Sequence, residues 1–398
     1  MKLKWLFAAA LAMLSGMAPA EEIRSPFAAD AVRPYIESGE LPGAISVFCK
    51  PGAQETACLG WADVDKKIPM SLDRTFMQCS QTKGFCGVTV AILLEEGRIS
   101  LDDPVSKYLP EFKTLKVAQK DGDGKVVVVP AKNVLTIRMV MNHTGGFPFE
   151  IPSKVEKGWS SCSVRDSARE GAANPLLFEP GTKVRYSNTG IDIGAAVVEV
   201  VTGKPWDVFL KERVLDPLGM RDTTFQPTGE QLARAISMYD VKPGRKAKFR
   251  AFNKWMPLPH NGPTVFPSAG AGLWTTAADQ LKFYKMLMNL GVGENGARIL
   301  KEETVKRYLA SSTRPLNREG RGYSLGLWVT PAEGLMGHGG AWKTKCEVNW
   351  RKKELRMWVV QQCGKPGAWN EAWKEAAEKF FGAKNSGSDG DAYTGRLR

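Results

Sequence analysis

Four short stretches of this sequence carry side chains that could do chemistry together. Ser80-Gln81-Thr82-Lys83 is the only S-x-x-K in the chain. On a helix, residues three apart share a face, so the Ser80 hydroxyl and the Lys83 amine can meet. At a helix N-terminus the serine also lies beside unpaired backbone N–H groups and the positive end of the helix dipole. Those are the parts of an activated nucleophile and of half an oxyanion hole. The spacing alone is weak, because chance supplies roughly one such match in a chain this long. A capping serine with a solvated lysine one turn on has the same spelling.

Tyr186-Ser187-Asn188 offers a phenol that can relay a proton beside an amine, and a carboxamide that can orient lysine and substrate. It also spells an ordinary loop with a packed tyrosine. Gly337-His338-Gly339-Gly340-Ala341 offers glycines that let substrate lie close to the backbone, with the Ala341 N–H as a second oxyanion donor. Its alternative is a tight turn carrying an exposed histidine. The fourth stretch, Gly322-Tyr323-Ser324-Leu325-Gly326, matches the G-x-S-x-G nucleophile elbow. That elbow requires a following helix and an acid ahead of a downstream histidine. The residues after Leu325 read as strand and only His338 follows, close by, so this match is set aside.

The elements that must position these groups run strands, helices, strands, helix. Residues 27–38 read as an amphipathic helix stopped by Gly39, followed by strand-like runs Gly43 to Cys49 and Gln54 to Val64. A long helix begins at or near Ser80 and ends before Gly97, a residue suited to a C-terminal cap. Lys113 to Val129 reads as a β-rich insertion turning at Asp121-Gly122-Asp123-Gly124. From Thr136 to Leu287 the pattern is mainly helical, with Thr136 and Thr276 as N-caps, Gly203 as a stop and Pro205 opening the next helix. Strands return at Ser324 to Thr330, Glu347 to Trp350 and Leu355 to Gln361, before a helix with Trp369, Trp373, Ala376, Ala377 and Phe380 on one side. This order describes a helical region inserted into a sheet domain, not regular βαβ alternation.

Residues 1–20 read as a signal peptide: Lys2 and Lys4, an apolar Trp5 to Leu14, and Ala18-Pro19-Ala20 as the cleavage site. Met17 stands where a lipid anchor would need cysteine. The expected product is exported, periplasmic or secreted, without stable membrane insertion. The expected hydrolase domain spans 21–382, with its sheet part at about 21–75 and 320–382 and its helical part at about 76–319. The Gly/Ser/Asp-rich residues 383–398 read as a disordered tail.

A formal charge of +13 invites a nucleic-acid reading, but the basic residues are scattered and no recognition module is present. Seven cysteines enter an oxidising compartment. Cys49 and Cys58 flank an expected turn at Pro51-Gly52, where a cross-strand bridge could form, and Cys346 and Cys363 lie on two other neighbouring strand runs. Three separated histidines and no ligand spacing leave no metal site and no cofactor to expect.

The order and spacing of the first three motifs resemble those of the serine β-lactamase and penicillin-binding superfamily, in its class C-like branch. So do Gly60-Trp61-Ala62-Asp63-Val64 through Pro69-Met70, and Gly97 to Val105 with Tyr108-Leu109-Pro110. Asn142-His143-Thr144-Gly145-Gly146 resembles that branch's His-Thr-Ser-Gly turn, with Gly145 in place of serine. Phe178-Glu179-Pro180-Gly181, Pro217-Leu218-Gly219-Met220 and Gly270 to Thr276 extend the likeness over about residues 27 to 365. The resemblance implies an α+β, β-lactamase/transpeptidase-like fold: an antiparallel sheet flanked by helices, with an inserted, mostly helical subdomain. It further implies that Ser80 attacks a carbonyl while Lys83 and Tyr186 move the proton. Asn188, His338, Gly339 and Gly340 would bind substrate, and the N–H groups of Ser80 and Ala341 would hold the oxyanion.

His338 stands where classical β-lactamases place a lysine, which shifts the expected substrate from β-lactams toward esters and peptides. The resulting expectation is an exported serine hydrolase cleaving small-molecule ester, peptide or cell-wall-like substrates. A DD-peptidase or weak β-lactamase, and a catalytically silent peptide- or glycan-binding member, are the alternatives. Cys79 could be a second reactive thiol or a small buried residue. Trp159, Trp255 and Phe266 are candidates for an apolar acyl pocket.

Overall fold

The computed structural model describes residues 27–153, 163–250, 266–315 and 317–382. The expected signal peptide, the expected tail and the pocket candidates Trp159 and Trp255 lie outside the described residues.

Eight strands form one antiparallel sheet. Three come from the first part of the chain: β1 (Gly43–Lys50), β2 (Ala53–Asp63) and β3 (Ile68–Pro69). Five come from the last part: β4 (Gly322–Tyr323), β5 (Trp328–Thr330), β6 (Leu335–Gly339), β7 (Lys345–Asn349) and β8 (Glu354–Val359). The spatial order is β4-β5-β6-β7-β8-β1-β2-β3, so the two sets join where β1 pairs with β8.

Period-two alternation gives this sheet two apolar faces. Ile45, Val47, Met357 and Val359 enter the main core, whereas Ala44, Phe48 and Trp358 enter a second cluster. That second cluster is covered by α1 (Ala28–Glu37) and by α5 (Trp369–Phe381), which brings the expected Trp369, Trp373, Ala376, Ala377 and Phe380 onto the sheet. The Trp373 indole N–H donates to Ser46 Oγ at 2.9 Å, which satisfies two polar groups buried on that face.

The main core lies on the other face, against the helical region. Helix α2 (Thr82–Glu95) is buried from Thr82 to Leu94, as its near-uniform apolar composition requires. Helices α3 (Asn188–Thr202) and α4 (Ala277–Met288) flank it, with Gly203 ending α3 in the left-handed conformation and the Thr276 side chain capping α4 through Asp279 N–H. Thr136 begins its short helix without a side-chain capping bond, so only its backbone conformation fits the expected cap.

Three local expectations change. The expected strand Ser324 to Thr330 is interrupted: residues 324–327 form a turn with Gly326 at φ +77°, and strand resumes at Trp328. A hairpin of Tyr239–Lys242 and Arg245–Phe249 sits in the region read as helical, and Gln362–Gly364 adds to it as a parallel strand. The conceived Cys49–Cys58 bridge is absent because the β1–β2 register places Cys49 opposite Gln54 and Cys58 opposite Ile45. Cys346 and Cys363 are free as well, as are Cys79 and Cys86.

Candidate active site

Three chain segments bring the sequence-selected groups together. Ser80 lies in a single 3₁₀ turn, Cys79–Gln81, that feeds directly into α2, so Lys83 falls in the first turn of a buried helix. Asn188 is the first residue of α3, whose cap Ser187 accepts from Gly190 N–H at 3.0 Å. His338 lies on β6 and is buried, which removes the alternative of an exposed turn histidine.

Lys83 is fully buried and donates to Ser80 Oγ at 3.2 Å, Asn188 Oδ1 at 2.5 Å and the Gly270 carbonyl at 2.5 Å. Two of these partners can only accept, and they fix two of the amine's N–H groups. The third tetrahedral position then faces Ser80. The Tyr186 ring lies 4.6 Å from the Lys83 nitrogen, as a cation–π contact, and its hydroxyl lies 3.4 Å from His338 Nε2.

The imidazole of His338 has a defined tautomer. Its Nδ1 sits 2.6 Å from the Gly339 carbonyl, which can only accept, so Nδ1 carries the proton and Nε2 is an acceptor. Burial, with the Lys83 charge adding to it, lowers the His338 pKa to about 3. The ring is therefore neutral through the physiological range and presents no cation to substrate.

Ala341, expected from sequence as the second oxyanion donor, follows Gly340. A β-carbon there would lie 2.6 Å from the Gln78 carbonyl and 3.4 Å from Cys79 Cβ, so the residue 340 backbone rests directly on the segment leading into Ser80. Ala341 follows, and its N–H faces the Cys79 thiol together with that of Trp342. Burial nonetheless pushes that thiol far above the ordinary cysteine range, so Cys79 is a small core residue and not a second nucleophile. Cys79 also adopts φ +51°, an uncommon conformation for a residue with a β-carbon, immediately before Ser80.

Several site residues were not singled out from sequence. Asp192, one turn along α3 from Asn188, accepts from Ser268 Oγ at 3.1 Å and Gly270 N–H at 3.0 Å, and so holds the loop whose carbonyl binds Lys83. Gly270 itself is required, since a β-carbon would lie 2.6 Å from Asn188 Cβ. Glu150 accepts from Asn188 Nδ2 at 2.5 Å, which orients the carboxamide with its oxygen toward Lys83. Tyr323, inside the discarded G-x-S-x-G match, brings its hydroxyl 3.1 Å from His338 Nε2. His143, with φ +68°, lies between Tyr186 and Tyr323 with ring centroids 4.4 Å from each, and its Nδ1 accepts from Ser187 N–H at 3.3 Å. Spacing within Gly270 to Thr276 and Asn142 to Gly146 marked two of these segments, whereas nothing local marked Glu150. Phe266 is buried in the main core.

Burial also pushes the His143 pKa well below the usual histidine value. Both histidines thus have folded pKa values below their unfolded ones, so the stability they contribute is present above about pH 6.5 and falls as the pH drops below it. For His338 we expect a loss of about 2 kcal/mol between pH 7.5 and 5, from protonation of the unfolded chain alone. Urea midpoints at the two pH values check this, and the difference should be smaller in His338→Gln.

An antiparallel sheet with a helical insertion, and a serine–lysine pair where a helix starts against that sheet, is the architecture of the β-lactamase/transpeptidase-like fold. The chain belongs to the beta-lactamase family, whose model matches residues 28–375. It is 29% identical over 313 residues to Protein Rv1367c of Mycobacterium tuberculosis, covering 76% of each chain. Solved structures share the fold, and two of them are EstCE1 and simvastatin synthase. EstCE1, a hydrolase with promiscuous acyltransferase activity, superposes with a TM-score of 0.72 at 22% identity over 88% of this chain and 97% of its own. Simvastatin synthase from Aspergillus terreus has a TM-score of 0.70 at 18% identity, covering 89% and 97%. Among the described residues no helix is long and apolar enough to cross a membrane, and no group of metal-binding side chains occurs.

Proposed function

We propose that this protein is an exported serine hydrolase that cleaves ester or amide bonds through an acyl-enzyme on Ser80. The observation that carries this reading is the bonding of Lys83. With two N–H groups committed to Asn188 Oδ1 and the Gly270 carbonyl, the third N–H position of the amine faces Ser80 Oγ 3.2 Å away, where the amine can accept the hydroxyl proton once it has given up its own. Ser80 Oγ then bonds to the substrate carbonyl carbon as its proton moves to Lys83. The Ser80 N–H holds the resulting oxyanion, and the Ala341 N–H joins it by exchanging its contact with the Cys79 thiol for the oxygen. Collapse breaks the bond to the leaving group, which takes a proton delivered through Tyr186. Water then cleaves the acyl-enzyme by the reverse proton route and restores Ser80.

The neutral His338 favours esters and peptides over β-lactams, whose carboxylate asks for a permanent cation at that wall. Export to the periplasm or outside the cell rests on the N-terminal sequence pattern. A fluorophosphonate probe should label the full-length protein, and Ser80→Ala should lose the label while keeping its thermal midpoint. Equal labelling of the variant, or no labelling of a folded wild type, overturns the proposal in favour of a binding protein. Turnover of p-nitrophenyl acyl esters, D-Ala-containing peptides and nitrocefin then divides the substrate classes.

A further inference from the structure

The hairpin that follows α2 in the chain turns an apolar face outward. We infer that this face docks on an anionic lipid surface, its valines entering the boundary between headgroups and acyl chains while two lysines meet the phosphates. The inference stands whether or not Ser80 acylates.

The two strands, Lys116–Lys120 and Val126–Pro130, pair with Lys116 opposite Pro130, Ala118 opposite Val128 and Lys120 opposite Val126. Residues directly opposite share a face, and so do alternate residues along each strand. One face carries Val117 and Val129, and Val117 is buried in the main core. The other carries Lys116, Ala118, Lys120, Val126, Val128 and Pro130. Ala118 is half-buried and the rest are exposed, with Val126 and Val128 keeping 61% and 51% of their surface in solvent. A third segment widens this face. Leu176 lies opposite Val117, accepting from Ala118 N–H at 2.8 Å and donating to the Lys116 carbonyl at 2.7 Å. The next residue, Leu177, therefore falls beside Ala118 on the outer face, and it is exposed. Leu177, Ala118 and Val128 form an apolar row across three chain segments, with Lys116 and Lys120 on either side of its centre.

An apolar row on an element held to the core from beneath marks a contact surface, and the charges beside it select the partner. Among the described residues neither lysine has an ion pair. The nearby Asp121 carboxylate is occupied by the N–H groups of Asp123 and Lys125. A second copy laid face to face would bring like charges together, and Pro130 blunts the free edge of the hairpin because it has no N–H to give. A lipid surface accepts both kinds of group at once: lysine stems lie along apolar surface while the amines reach the phosphates. Anionic headgroups suit these two cations and a chain of formal charge +13. The face is also tied to the candidate site. Leu177 N–H donates to the Gly146 carbonyl, and Arg185 N–H, just before Tyr186, donates to that of His143.

Flotation with vesicles of phosphatidylcholine and phosphatidylglycerol in equal parts reads the binding, and hydrogen exchange locates it. The full-length protein should partition at least about 10-fold more strongly to these vesicles than to phosphatidylcholine alone, with exchange slowed in residues 116–130. Lys116→Gln with Lys120→Gln should weaken partition roughly 30-fold, at about 5-fold per cation. Val126→Ser with Val128→Ser should weaken it roughly 10-fold. All four side chains are exposed, so the thermal midpoints should hold. Lys242→Gln with Lys246→Gln removes the same charge from another exposed hairpin and should cost less than about 2-fold at physiological salt. An equal loss in that control assigns binding to net charge and overturns the proposal. Full binding by the valine pair, which any soluble polyanion would also give, overturns it as well, as does a hairpin whose exchange the vesicles leave unchanged. A dimer that the valine pair dissolves, in a protein that ignores vesicles, gives the face to a second copy instead.

Discussion

Replacing Lys83 by methionine should lower kcat/KM for any cleaved ester by about 10³-fold or more, with fluorophosphonate labelling slowed to match. Methionine keeps the length and apolar stem of lysine but offers no lone pair to Ser80. It also strips a donor from Asn188 Oδ1 and from the Gly270 carbonyl, both inside the protein. Each orphaned acceptor costs about 1–3 kcal/mol, while removal of a buried charge works in the opposite direction. The thermal midpoint should therefore move by a few degrees only. A variant that melts near the wild type yet acylates a thousand times more slowly assigns the loss to chemistry. A variant that labels at the wild-type rate removes Lys83 from the mechanism.

The second large effect is on the fold. In α2, one turn beyond Lys83, Gly87 lies against the backbone of the 324–327 turn, and a β-carbon at Gly87 would stand 1.7 Å from the Leu325 carbonyl oxygen. Gly326 meets the same helix from the other side, with φ +77° and a β-carbon position 2.0 Å from the Lys83 carbonyl. Neither contact can be relieved by rotating a side chain, because backbone meets backbone. Gly87→Ala should destabilise by at least about 3 kcal/mol, seen as a thermal midpoint lowered by roughly 5–10 °C or as failure to accumulate folded protein. Gly97→Ala, which ends α2 at φ +66° with nothing near its β-carbon, should cost only about 1 kcal/mol. Comparable melts for the two variants would show that α2 and the turn are not locked together.

Those glycines explain how much of the molecule could be read in advance. The helices and most strands were legible because apolar period and capping residues are local properties: α1, α2 and α5 end where Gly39, Gly97 and the apolar stripe of Trp369 to Phe380 indicate. That Ser80, Lys83, Tyr186, Asn188 and His338 lie together was legible through their order and framework. Their partners were not. Glu150 and Asp192 act through single hydrogen bonds across distant segments, which leave no periodic trace. The G-x-S-x-G stretch spelled a nucleophile and proved to be a tight turn whose glycine admits a helix backbone and whose tyrosine holds His338. Cysteine spacing misled for a similar reason. Bridges depend on strand register, and a hairpin's register follows from its turn and its buried face rather than from the count of residues between thiols.

The seam between β1 and β8 sets a condition on how this protein comes into being. Ile45 lies opposite Val359, so the centre of the sheet joins segments separated by about 300 residues of chain. The β1–β2 hairpin forms locally, but its other edge and the face bearing Phe48 stay open until β8 and α5 arrive. Closing so long a loop is entropically slow, and no earlier stretch can substitute for the missing strand. A growing chain thus cannot complete its core before nearly all of it has been synthesised, and during that interval an unpaired, apolar strand edge is exposed to whatever else is near.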